Sequence, residues 1–183
     1  MASNALLIVL LVAQSSVTAS TRPMTAEEKT AITEVRDNFI IALNERNGDG
    51  IARVIPPRII SHLANGVGIS IEKFRPQMGS AISSAFGDIT LLKVRIDVEG
   101  MPLTDKCDPN NECLTWGFAQ TSMTFSTKDA SIPIETSTLV LRDQGAWYLV
   151  RANDAKQVLL LRSVYPVFED LTFPGTVMPA KSN

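Results

Sequence analysis

His62 is the only side chain in this 183-residue sequence whose unperturbed pKa lies near neutrality, which makes it the first candidate for a general acid or base. No carboxylate stands three or four residues away to orient it, so an exposed helical histidine is the competing reading. Asp97 and Asp154 are the strand carboxylates. Asp97 alternates with apolar neighbours and is expected to face water. Asp154 follows Asn153 and lies near Arg151, at the end of the last predicted strand. It could serve as a base, with Arg151 or one of the two tyrosines, Tyr148 and Tyr165, stabilising a developing oxyanion. It could equally make a salt bridge or a strand-end turn. Gln120, Ser122, Thr136 and Thr138 fall mid-strand among apolar residues. If they point inward, they and the aromatic pair Trp116 and Phe118 would line a small-molecule pocket with a few directed hydrogen bonds. Threonine also suits strands without any ligand, and the aromatic pair, like Trp147, also suits a plain core.

The two cysteines, Cys107 and Cys113, occur in TDKCDPNNEC, where Pro and Asn favour a tight turn. A disulfide between them is the expectation in an oxidising compartment. Closing so short a loop is worth roughly 2 kcal/mol by chain entropy. Asp105, Asp108, Asn110, Asn111 and Glu112 gather oxygen donors in the same stretch, but their spacing is not that of a calcium-binding EF-hand loop, and a solvated turn is expected. With one histidine and both cysteines paired, no metal and no cofactor are expected. A nucleophile elbow, a phosphate-cradling glycine loop and a Cys/His dyad are absent from the sequence.

The elements that must position these residues follow from periodicity. Thr25-Ala26-Glu27-Glu28 matches a capping box, and Ile32, Val35, Phe39, Ala42 and Leu43 form one apolar stripe behind it. Asn47-Gly48 is read as the left-handed end of that helix. A second, short helix is predicted from Pro57 to Asn65-Gly66, with Ile60 and Leu63 inward. A third follows Ser70 and carries Pro76, where a kink or a separate first turn is expected. From Ile89 the period becomes two, the pattern of a strand with one wet face. Leu114, Trp116 and Phe118 share one phase while Met123 and Phe125 share the other. A β-bulge between Ala119 and Ser122 would account for the switch. A strand from about Ile132 to Arg142 then turns at Asp143-Gln144-Gly145 into Trp147 to Ala155. Gln157 to Phe168 reads as a short helix, and the residues from 169 to 183 as a loose tail.

Hydrophobic residues make up 45% of the chain, enough for a substantial core, and the net charge of −2 with scattered Lys and Arg argues against nucleic-acid binding. The first nineteen residues contain no charged side chain, and the apolar run Ala5 to Ala13 is far short of the roughly 20 residues of a membrane span. With Val17-Thr18-Ala19 after it, the segment reads as a signal peptide, residues 1–19, despite the missing basic residue at its start. A periplasmic or secreted location is expected, with no membrane insertion once the leader is removed.

Helices first and hairpin-joined strands after them make an α+β arrangement, with helices covering one face of a meander. This order, the GVGISIEKFRPQM turn into a helix and the closing LVLRDQGAWYLVRANDA hairpin resemble the NTF2-like superfamily over roughly residues 25 to 160. The superfamily includes ketosteroid isomerase, scytalone dehydratase and limonene epoxide hydrolase beside many binding and assembly domains, so it constrains fold more than function. The resemblance implies one domain over residues 20–168. Its N-terminal helices would pack on the concave face of a half-barrel, with a pocket between sheet and helices. A small apolar ligand or a protein partner, and a homodimer, are the partners it implies. An isomerase- or dehydratase-type enzyme using Asp154 or His62 is the alternative.

Overall fold

The capping box at the head of the first long helix is formed as the sequence predicts. In the computed structural model, which describes residues 19–87, 89, 91–108, 112–126 and 131–175, helix α1 spans Ala26–Asn44. The Glu28 amide donates to Thr25 Oγ1 at 3.2 Å and the Thr25 amide to Glu28 Oε2 at 2.9 Å. The far end of α1 differs from expectation. Arg46, not Asn47-Gly48, takes the left-handed conformation, with φ 55°. Asn47 instead caps a further helix, α2 (Gly48–Arg53), accepting from the Gly50 amide at 3.0 Å. Asn suits either duty, and the close packing of Gly48 against Gly79 favours the second. Helix α3 (Pro57–Gly66) starts and ends where predicted, and α4 (Ile71–Ser84) carries Pro76 within it. Helix α5 (Ala155–Val164) and a 3-10 turn (Pro166–Phe168) follow the sheet.

The strands are β1 (Ser20–Arg22), β2 (Leu91–Asp97), β3 (Leu103–Cys107), β4 (Cys113–Ser126), β5 (Ser131–Asp143) and β6 (Ala146–Arg151). They form one curved antiparallel sheet, ordered β1-β3-β4-β5-β6, that does not close. Strands β2 and β3 share one side of the long β4. Asp97 lies opposite Gln120 towards the C-terminal end, and Thr104 opposite Trp116 towards the N-terminal end. Gln144 and Gly145, both at positive φ, make the β5–β6 turn as predicted. The candidate leader falls outside the described residues except for Ala19, and Asn110 and Asn111 fall outside them too. The first strand begins at Ser20, directly after the predicted cleavage point. Among the described residues, no helix is long and apolar enough to cross a membrane.

No bulge interrupts β4. Its pairing with β5 runs unbroken from Thr115 opposite Arg142 to Ser126 opposite Ser131. The change of phase has another cause: the sheet is buried on both faces. Leu114, Trp116, Leu139 and Leu141 pack against Val158, Leu161, Tyr165 and Phe168 of α5 and the turn after it. On the opposite face, Ala119, Val140 and Leu149 pack with Ile96, Leu103 and Ile32 of α1. The expectation that helices cover a single face is therefore corrected. On β4, Leu114 and Trp116 belong to the α5-side cluster and Ala119 to the α1-side cluster, so apolar residues occur in both phases of one unbroken strand. The supposed tail is also corrected as far as Phe173, which is buried and meets Phe118 and Phe168 edge-on at 5.8 Å. Residues 176–183 lie outside the described part.

Candidate functional site

The residues expected to form one pocket are divided between the two faces of the sheet. In the β4–β5 register, Trp116 faces Leu141, Phe118 faces Leu139 and Gln120 faces Ser137, whereas Thr136 faces Thr121 and Thr138 faces Ala119. Directly opposed residues of an antiparallel pair share a face. Trp116 and Phe118 thus stand on the α5 side, and Thr136 and Thr138 on the α1 side. Thr138 is buried with its hydroxyl 2.7 Å from that of Thr121, and the Thr136 hydroxyl is buried without a partner among the described residues. Gln120 is exposed, in a polar groove of about 250 Å³ with Arg95, Asp97, Ser122 and Glu135. Trp116 and Phe118 border a different groove, of about 360 Å³, which Thr104, Lys106 and Leu171 help to line.

His62 is exposed on α3. Asp154 is exposed as well, and its carboxylate caps α5 by accepting from the Gln157 amide at 2.9 Å. Neither is among the residues that line the cleft reached by Arg151. The Asp154 carboxylate is thus engaged as a helix cap, and His62 stands apart from it on α3. Sequence proximity at a strand end is equally the signature of an N-cap, and here capping prevails. Arg151 does reach a cavity.

That cavity is a cleft of about 300 Å³ beyond the edge of β6, where the two helical layers meet. Leu149 and Val150 point to opposite faces of an edge strand, and both contribute to it. Phe39 of α1, Ile51 of α2 and Val54 close the Leu149 side. Ile59 and Leu63 of α3, four residues apart and so on one helix face, stand with Leu160 and Leu161 of α5 on the other. The Leu149 amide donates to the Val54 carbonyl at 3.0 Å and holds the α2–α3 connection against the strand. Two polar side chains border this apolar lining, Arg151 and Gln157. The Arg151 Nε donates to Asn153 Oδ1 at 2.8 Å, while Gln157 Oε1 accepts from the Asn153 amide at 3.1 Å. Asn153 thereby orients both polar groups. Of these lining residues, sequence reading singled out Arg151 for chemistry; the apolar ones were legible only as core, because their convergence requires both helical layers.

A second cluster lies at the opposite end of the α5 side. Cys107 and Cys113, directly opposed in β3 and β4, are disulfide-bonded. The loop they close is tied by Asp108, whose amide donates to the Glu112 carbonyl and whose Oδ1 accepts from the Glu112 amide, both at 2.9 Å. Glu112 pairs with Arg58, whose guanidinium also donates to the Val164 carbonyl at 3.0 Å and lies 4.7 Å over the Tyr165 ring. The Tyr165 hydroxyl donates to the buried Asp143 at 2.9 Å. Burial first, and the Asp143 charge next, push the Tyr165 phenol far above its usual range. A phenol so held stays protonated and donating. Arg58, Glu112, Asp108 and Tyr165 leave a space of only about 10 Å³ between them, the size of one water, so this cluster is a tie between elements. Asp105, counted among the loop's oxygen donors, is engaged elsewhere, by Arg22 at 2.6 Å and Thr115 at 2.6 Å.

Comparison of the chain with protein-family models, with curated proteins and with solved structures returns no match.

Proposed function

We propose that the protein is an exported domain of the NTF2-like type that binds a small, largely apolar molecule in the cleft beyond β6. The carrying observation is the lining: ten apolar side chains drawn from α1, α2, α3, β6, α5 and the α2–α3 connection converge on about 300 Å³, with Arg151 and Gln157 as the polar exceptions. The volume is about twice that of an apolar cavity known to admit benzene. Helices leading a curved antiparallel sheet support the NTF2-like reading, and the Cys107–Cys113 disulfide supports an oxidising compartment.

Titration with the neutral fluorophore N-phenyl-1-naphthylamine tests the binding reading. The expected dissociation constant lies in the micromolar range, about 6–8 kcal/mol of binding free energy. Leu63→Trp, which fills the cleft from a half-buried position, weakens binding at least tenfold. Failure of the fluorophore to bind, or equal binding by Leu63→Trp, refutes the assignment of the cleft as the site.

A further inference from the structure

We infer that the molecule taken by this cleft carries a carboxylate, bound end-on by Arg151 while an apolar chain lies against Ile59, Leu63 and Leu160. This rests on the reading of the cleft as a binding site and goes one step further, to the chemical class of its occupant. Arg151 is the single charged side chain of the lining. Its Nε is already committed to Asn153 Oδ1, at 2.8 Å, and it forms no ion pair among the described residues. What remains is the pair of terminal NH₂ groups, coplanar and forked, the half of a guanidinium that meets a carboxylate with two parallel hydrogen bonds. Asn153 fixes the orientation of that fork through a neutral amide oxygen, so no carboxylate among the described residues pairs with the charge. The nearest carboxylate in sequence, Asp154, is occupied in capping α5 through Gln157. An arginine held in position at the lip of an apolar cleft, with its outward edge unspent, selects an amphiphile with an anionic head over a neutral or cationic one.

Three probes of equal chain length separate the possibilities: decanoate, decanol and decyltrimethylammonium, each titrated calorimetrically below its micellar concentration. Wild-type protein is expected to bind decanoate at least tenfold more tightly than either of the others, and raised salt to narrow the gap. In Arg151→Met, which keeps most of the stem and removes the charge, the decanoate-to-decanol ratio falls to about one. In Leu63→Trp both affinities fall together and the ratio survives. Equal binding of decanoate and decanol by wild type, or an unchanged ratio in Arg151→Met, overturns the anionic-head proposal while leaving the apolar site standing. Binding of none of the three overturns the site and this proposal with it.

Discussion

The Glu28 carboxylate accepts from the Thr25 amide at 2.9 Å and from both terminal nitrogens of Arg22, at 2.7 and 2.8 Å. Arg22 reaches in turn to Asp105, so one guanidinium joins β1, the head of α1 and β3. Its hydrogen bonds to Glu28 are the main cause that holds this carboxyl down, from an ordinary 4.5 to about 2; burial opposes them and the Thr25 amide assists. The sign follows from linkage. A carboxyl with a depressed folded pKa contributes stability fully above its unfolded pKa and loses it as pH falls through the folded one. The stability advantage of wild type over Glu28→Gln is therefore expected to be constant above about pH 5 and to shrink between pH 4.5 and 2. Urea midpoints measured across that interval check it, and a pH-independent difference contradicts the pairing.

Between elements, α2 and α4 approach closely enough that two glycines are required where they meet. A Cβ on Gly48 would run into the backbone carbonyl of Gly79, and one on Gly79 into the Asp49 side chain. Backbone cannot step aside as a flexible side chain can. Gly48→Ala is therefore expected to cost about 1–3 kcal/mol, the usual penalty of overpacking, although Ala is the better helix former. Gly66→Ala, at the last residue of α3, is the matched comparison, because a Cβ there meets nothing within 4 Å. It should be neutral or stabilising by up to about 1 kcal/mol through the unfolded state. Urea denaturation of both variants reads the contrast, and equal effects would remove the steric explanation.

Over the whole molecule, the two apolar clusters are built on the same strands. Trp116 belongs to the α5-side cluster and Trp147 to the α1-side cluster, and the chain has no other tryptophan. Adjacent residues of β5, Leu139 and Val140, serve opposite clusters, so neither can come apart without loosening the backbone that carries the other. One cooperative transition is expected. Trp116→Phe and Trp147→Phe each leave a fluorophore on one face. Within each variant, its fluorescence and far-ultraviolet circular dichroism should give coincident urea midpoints. Divergence of the two signals in either variant would mean that the layers unfold separately.

Local chemistry was sufficient for the features that a few neighbouring residues decide. The Thr25 capping box, the Pro57 helix start, the Gln144-Gly145 turn, the Cys107–Cys113 bridge and the α+β order of elements could all be read from spacing alone. Each depends on contacts within about ten residues, or on a period that a helix or strand imposes on its own side chains. The strand register, the cover on both faces of the sheet and the cleft beyond β6 could not be read in this way. Whether Thr136 shares a face with Trp116 depends on which residue of β4 it opposes, and a slip of one position reverses the answer. The role of Asp154 was open until α5 was seen to start beside it. The sequence by itself determined the longer helices and strands and the apolar stripe of α1, but not the short elements α2, β1 and β3. Only the tertiary structure decided which apolar sides meet, because burial is indifferent to the identity of the partner and rewards any pairing that excludes water.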